Sequence, residues 1–90
     1  MTSNDQEPPQ NQVESLINLF TQGLFQNVLI EASKIQKRFP TSVLLYNICG
    51  GAHTELEQFD LAIENYKKAL VAKPDYADTF CNIGIVQQKK

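Results

Sequence analysis

Three side chains of this 90-residue chain could supply acid–base or nucleophilic chemistry, namely His53, Cys49 and Cys81. His53 is the single histidine, and an imidazole has the ordinary pKa that suits proton transfer near neutral pH. A thiolate is a nucleophile, but the interior of a helix in an acidic domain does not lower the pKa of a thiol. Because all three residues fall within helical patterns, we expect a packing role for His53 and buried free thiols for both cysteines.

The remaining polar segments lack the spacing of a catalytic or ligand site. The cysteines form no CxxC pair, and the chain has no HExxH, GxSxG or glycine-rich phosphate motif. The acidic residues Glu55, Glu57 and Asp60 fall in a predicted turn between helices, where solvation explains them better than an ion does. We therefore predict that the protein is not an enzyme and needs no metal and no cofactor.

The charge and hydropathy of the chain argue against two classes of partner. Eight Lys and Arg residues against ten Asp and Glu residues give a net charge of -2, so neither a nucleic acid backbone nor an anionic lipid surface would be attracted. No run of about 18 apolar residues is present, and the N-terminus lacks the basic start and apolar core of a secretory signal. We expect a cytoplasmic protein with no nucleic-acid and no membrane partner.

Apolar residues recur at helical spacing in five segments, with no strand pattern between them. Gly23 and Pro40 should end the first two helices, Thr41 or Ser42 should cap the third, and Asp75 should cap the fifth. The predicted fold is all-α, with links of two to four residues that make neighbouring helices antiparallel. The expected elements are a disordered polar tail over residues 1–10 and helices near residues 11–22, 25–38, 42–56, 59–72 and 76–88.

The chain also repeats itself at an offset of about 34 residues. Chemical type is kept at further positions of the same register, for example between Tyr46 and Phe80. The identical pairs are Phe25 with Phe59, Lys34 with Lys68, Pro40 with Pro74 and Gly50 with Gly84.

Small and large residues alternate in this repeat in a way that predicts close helix packing. Gly50 in mid-helix costs about 1 kcal/mol relative to alanine unless a close helix approach compensates for it. Ala62 and Ala69 are small on the facing helix, while Tyr66 supplies bulk. We expect Gly50, Ala62 and Ala69 to lie in helix contacts, and Gly51 to weaken the third helix.

The middle unit resembles the tetratricopeptide repeat, whose period is about 34 residues. The motif that carries the resemblance is Tyr46-x-x-Cys49-Gly50-x-x-His53, then Ala62-x-x-x-Tyr66, Ala69 and Pro74. It departs from the family pattern at Cys49, where leucine is usual, and at His53, where tyrosine is usual. The resemblance implies helix pairs stacked as a right-handed solenoid, with repeat 1 over about 9–42, repeat 2 over about 43–76 and a partial repeat 3 over about 77–90.

The resemblance also implies a function, since family members bind peptides or partner helices in the concave groove lined by the first helix of each pair. Asn47 could hydrogen bond a ligand backbone, although a solvated surface amide explains it equally well. The groove has no cation before Lys89, which disfavours recognition of a C-terminal carboxylate. The predicted groove residues are Val13, Ile17, Phe20, Leu44, Asn47, Gly51, Thr54, Glu55, Asp78, Cys81, Ile85 and Gln88.

Two further possibilities follow from the partial third repeat. The chain could be a structural or substrate-presenting segment of a longer protein, such as a bacterial glycosyltransferase, sulfotransferase or methyltransferase, by analogy with arrays that precede such domains. Alternatively, Phe80, Ile83 and Val86 could remain exposed on the fifth helix and support a weak homodimer.

Overall fold

A computed structural model describes residues 7–90, and these residues form five α-helices. Each end lies within two residues of its expected position, and the described residues contain no strand, so the predicted all-α fold is confirmed. Residues 1–6 of the predicted tail lie outside the described residues. The helices are α1 (Gln10–Thr21), α2 (Phe25–Gln36), α3 (Val43–Glu55), α4 (Phe59–Ala72) and α5 (Ala77–Lys89).

The five helices stack in chain order. Each helix packs on the next one along the chain, and α3 also contacts both α1 and α5. The odd-numbered helices therefore share one layer, while α2 and α4 cover the other side. The described part measures 40 × 29 × 17 Å, an elongated shape that fits a stack of helix pairs. This arrangement is a tetratricopeptide-like helical repeat.

Four helix boundaries were predicted from specific residues, and those at Gly23 and Ser42 are confirmed, while α2 ends at Gln36, four residues before Pro40. Gly23 has a φ of 79°, and next to it the Leu24 N–H donates to the Leu19 carbonyl, so a left-handed residue ends α1. The Ser42 hydroxyl accepts a hydrogen bond from the Leu45 N–H at 3.1 Å, which satisfies an amide at the start of α3.

The predicted cap of α5 is wrong. Tyr76, not Asp75, occupies the N-cap position, and it makes no side-chain capping bond. The reason is a turn in which the Tyr76 N–H donates to the Lys73 carbonyl at 3.2 Å. Asp75 lies inside this turn, so its side chain comes one residue too early to reach the first amides of α5.

The glycines of α3 allow two close approaches. A Cβ at Gly50 would lie 2.7 Å from Cδ1 of Tyr66, so the expected tight contact between α3 and α4 is confirmed. A Cβ at Gly51 would lie 3.2 Å from Cε2 of Phe20 on α1. The cost of the low helix propensity of Gly51 is therefore offset by the contact of α3 with α1. The sequence did not indicate this contact.

The core consists of two groups of buried side chains. Leu16, Ala32, Leu45 and Cys49 form the first, between α1, α2 and α3. Ala62, Tyr66 and Val86 form the second, between α4 and α5. Ala62 and Ala69 are fully buried, as the alternation of small and large residues predicted. Val86 is 1% exposed, so its predicted exposure on α5 is wrong.

The two cysteines differ in their environments. Cys49 is buried and its burial raises the pKa of the thiol to about 11, whereas Cys81 is exposed. The expected burial of Cys81 is therefore wrong. Its helix, α5, packs on α4 and α3 through other residues, and Cys81 points away from both cores.

A carboxylate from the segment before α1 reaches the start of α3. The Glu7 side chain accepts hydrogen bonds from the Ser42 hydroxyl and, at 2.9 Å, from the Val43 N–H. Negative charge is favourable at this position because it faces the positive end of the helix dipole. Glu7 therefore connects the beginning of the described chain to the second helix pair.

Candidate functional site

The layer formed by α1, α3 and α5 contains a cleft with a volume of about 340 Å³. This volume is at the lower end of the range for ligand pockets, so it suits one or two side chains of a partner. Its lining residues are Ile17, Phe20, Leu44, Asn47, Ile48, Gly51, Tyr66, Tyr76, Asp78 and Asn82.

The structure places some of the predicted groove residues in this cleft and leaves others outside it. Those that line the cleft are Ile17, Phe20, Leu44, Asn47, Gly51 and Asp78. Those outside it are Val13, Thr54, Glu55, Cys81, Ile85 and Gln88. Thr54 is buried, and its hydroxyl donates to the Gly50 carbonyl at 2.8 Å, so this side chain is used inside the fold.

Apolar side chains form part of the cleft wall, and two of them are accessible. Ile17 and Leu44 are 46% and 37% exposed, although both are large aliphatic side chains. Phe20 lies beside them and packs edge-to-face on Phe25, with ring centroids 5.1 Å apart. Apolar surface that is exposed in a concave position is a common feature of sites that bind another chain.

The cleft wall also carries hydrogen-bonding groups, among them Asn47. Its Nδ2 donates to the Val43 carbonyl at 3.1 Å, and its Oδ1 accepts from the Thr79 hydroxyl at 3.0 Å. Asn47 therefore joins α3 to α5 and is held in one orientation. An amide has two N–H groups and two acceptor positions, so capacity remains on both ends for a ligand.

Tyr66 comes from α4 and reaches the cleft past Gly50 and Gly51. Its hydroxyl would lie 3.9 Å from a Cβ at Gly51. Burial raises the pKa of Tyr66, the negative charge of Glu55 raises it further, and a hydrogen bond with Thr54 partly opposes the rise. The phenol therefore stays protonated at neutral pH.

Sequence reasoning missed four lining residues, namely Ile48, Tyr66, Tyr76 and Asn82. Ile48 and Asn82 are each one position beyond a predicted groove residue, and they correspond to each other at the 34-residue offset. Tyr76 lies in the turn before α5, which no helical periodicity describes. The one signal in the sequence that Tyr66 reaches the cleft was the pair of adjacent glycines opposite it, Gly50 and Gly51.

The residues considered for chemistry do not meet at the cleft. His53 lies in the last turn of α3, and its Nδ1 is 2.8 Å from Oε1 of Gln58, the residue before α4. Across residues 7–90, no group of three or more His, Cys, Asp or Glu side chains is placed to hold a metal ion. Within the same residues, no helix combines the length and apolar character needed to cross a bilayer.

Comparison with known proteins agrees with this geometry. Residues 50–90 match a family model described as TPR repeat, that is, tetratricopeptide repeat. A 45-residue stretch, 50% of the chain, is 44% identical to the uncharacterized protein ycf37 of Guillardia theta, and it covers 25% of that relative's length. No solved structure matches the chain significantly. Together with the 34-residue repetition and the stacked helix pairs, these matches support a tetratricopeptide-repeat assignment for residues 50–90.

Proposed function

We propose that the cleft binds a segment of a protein partner, and that the chain is a binding module without catalytic activity of its own. The observation that carries the proposal is the pairing of exposed Ile17 and Leu44 with the fixed amide of Asn47 in one cleft. Apolar side chains provide affinity for an inserted side chain, while a held amide fixes the ligand backbone. A cytoplasmic location belongs to the same proposal and can be tested with a fluorescent fusion.

Peptide selection tests the proposal directly. A random peptide library would be selected on the wild-type protein, and the recovered peptides would be titrated against Ile17→Glu. We expect a loss of affinity of at least about tenfold, since a buried carboxylate replaces apolar contact. Ile30→Glu is the matched control, because Ile30 is also an exposed isoleucine, at 55%, and lies on α2 away from the cleft. Equal losses in both variants, or no recovered peptide, would contradict binding at the cleft.

A second candidate function is that of a segment that presents substrate or adds structure within a longer protein. The supporting observation is that the matched stretch covers about a quarter of the relative's length. The complete reading frame of the gene tests this candidate. A catalytic domain encoded in the same frame would support it, and a frame without one would contradict it.

Self-association through α5 also stays a proposal. The face of α5 that we assign to the contact differs from the face that the sequence indicated. Val86 is buried, and Ile83 packs partly against the second core, so neither is free for a partner. Phe80 is 56% exposed, and a Cβ at Gly84 would meet no atom within 4 Å. Phe80 and Gly84 are four residues apart on one helix face. We therefore assign the homodimer contact to this pair.

A further inference from the structure

The cleft brings three aromatic rings together with a single ionised side chain. The rings are those of Phe20, Tyr66 and Tyr76, and the charge is the carboxylate of Asp78. No Lys, Arg or His is among its lining residues. We propose that the cleft selects a partner segment that inserts a lysine or arginine side chain beside its apolar residues. This proposal rests on the proposed peptide-binding function.

The charge distribution around the cleft supports a cation. Asp78 lies in the first turn of α5 and lines the cleft. Its carboxylate attracts a cationic side chain and repels a glutamate or aspartate of a partner.

The aromatic rings offer a second form of attraction. A cation over the face of a ring is held by the negative charge of the π-system when it lies within about 6 Å of the centroid. Tyr76 already makes this contact with the chain's own Lys73, whose Nζ lies 5.3 Å from the ring centroid. Tyr76 borders both the cleft and the neighbouring depression that contains Lys73. The ring therefore attracts ammonium groups, and a partner's lysine would replace Lys73 over this ring or approach its other face.

Neutral acceptors complete the site. Asn82 lines the cleft, and the Asn47 carbonyl oxygen, fixed by Thr79, keeps one lone pair for a further donor. An ammonium group has three donors and a guanidinium group has five, so either can use Asp78 and these acceptors together. The aliphatic stem of the same side chain would lie against Leu44.

Two small probes test the charge preference apart from peptide binding. Nα-acetyl-lysine methylamide and Nα-acetyl-norleucine methylamide have similar chain lengths and differ in the ammonium group. Each would be titrated into the ¹⁵N-labelled protein, and the amide chemical shifts of Asn47, Tyr76 and Asn82 would be followed. We expect the lysine probe to bind with a dissociation constant at least about tenfold lower than the norleucine probe.

Two variants with the same change of charge locate the site. Asp78→Asn should abolish the preference for the lysine probe and leave the weak norleucine shifts unchanged. Asp75→Asn should keep the preference, because Asp75 is exposed in the preceding turn and does not line the cleft. Sodium chloride should weaken the binding of the lysine probe and leave the binding of the norleucine probe unchanged, because salt screens the attraction between charges.

The outcomes separate this inference from the proposed function. Equal shifts with both probes, absence of shifts, or equal losses in Asp78→Asn and Asp75→Asn would overturn the cationic specificity. Peptides selected on the wild type that lose affinity in Ile17→Glu would still support peptide binding in that case. Recovery of sequences rich in lysine or arginine at one position would support both.

Discussion

The Tyr66 ring lies over Gly50, in the space that a Cβ at this position would occupy. Tyr66 is 4% exposed and packs with Ala62 and Val86, so it has little freedom to move away. The corresponding residue of the next repeat, Gly84, has open space around its Cα. The same repeat position therefore mediates a helix contact in α3 and remains free in α5.

Alanine substitutions at these two glycines should have opposite effects. Gly50→Ala should lower the free energy of unfolding by roughly 1–3 kcal/mol, because overpacking against Tyr66 exceeds the gain in helix propensity. Gly84→Ala should raise it by about 0.5–1 kcal/mol, since only the propensity gain applies. Urea unfolding followed by circular dichroism measures both. Changes of the same sign would show that the two sites do not differ in packing.

Ala62 should not accept a larger side chain. It is fully buried against α3 and α5, so Ala62→Leu should destabilise the protein by roughly 1–3 kcal/mol. Ala72→Leu adds the same atoms at an exposed position of α4 and should change stability by less than about 0.5 kcal/mol. Thermal unfolding of the pair checks the prediction, which an unchanged melting temperature in Ala62→Leu would refute.

Stability should fall at alkaline pH because of Cys49. Its pKa is about 9.0 when the thiol is free and about 11 in the folded chain, where burial disfavours the thiolate. Below pH 9 both states keep the proton, and between pH 9 and 11 the unfolded state loses it first, so folding becomes less favourable. At about 1.4 kcal/mol per pKa unit, the loss is roughly 2 kcal/mol at pH 11 and reaches ~3 kcal/mol only above that pH.

The raised pKa of Tyr66 adds to this loss in the same direction. Urea unfolding at pH 8 and at pH 10.5 measures the effect, and Cys49→Ala is the control. If the stability of Cys49→Ala falls as steeply between these two pH values as that of the wild type, the thiol is not the cause. Cys81, which is exposed, should react with maleimide at neutral pH much faster than Cys49.

Replacement of Ser42 should lower the stability of the fold more than replacement of its neighbour Thr41. Its hydroxyl accepts from the Leu45 amide and donates to Glu7, so Ser42→Ala removes a helix cap and leaves the carboxylate with fewer donors. We expect a loss of about 1–2 kcal/mol. Thr41→Ala, at an exposed position of the same turn, should cost less than about 0.5 kcal/mol. Similar losses in the two variants would contradict the role of Ser42.

Sedimentation equilibrium tests the homodimer. The face around Phe80 would bury a few hundred Å², less than stable interfaces bury, so we expect a dissociation constant in the range of tens to hundreds of micromolar. Phe80→Glu should give a monomer at every concentration. Ile85→Glu should leave the association unchanged, because Ile85 is similarly exposed, at 49%, but lies on another face of α5. A wild-type monomer at high micromolar concentration would refute the dimer.

Most of the fold could be predicted from the sequence because its signals are local. Gly23 and Ser42 act within one turn of the helix that they end or begin, and the 3.6-residue spacing places the rest. The cap of α5 could not be predicted in the same way. It depends on a backbone hydrogen bond from Tyr76 to Lys73, and the sequence offered Asp75 as a better capping residue by type.

The cleft was only partly predictable because its walls come from different parts of the chain. Spacing along α3 found Leu44 and Asn47, but it could not show that Asn47 is already bonded to Thr79. Tyr66 enters from the opposite layer. Val86 was assigned to the open face of α5 because its apolar type fits either face, and only the position of α4 decides between them.

The hydrogen bonds of Glu7 also affect how the molecule should open locally. They join residues 35 positions apart, so α1 and α2 lie within a loop whose ends meet at the start of α3. Release of the segment before α1 would expose the Val43 amide, which donates to Glu7. In native-state hydrogen exchange, the Val43 amide should therefore report on detachment of a segment that precedes it by two helices.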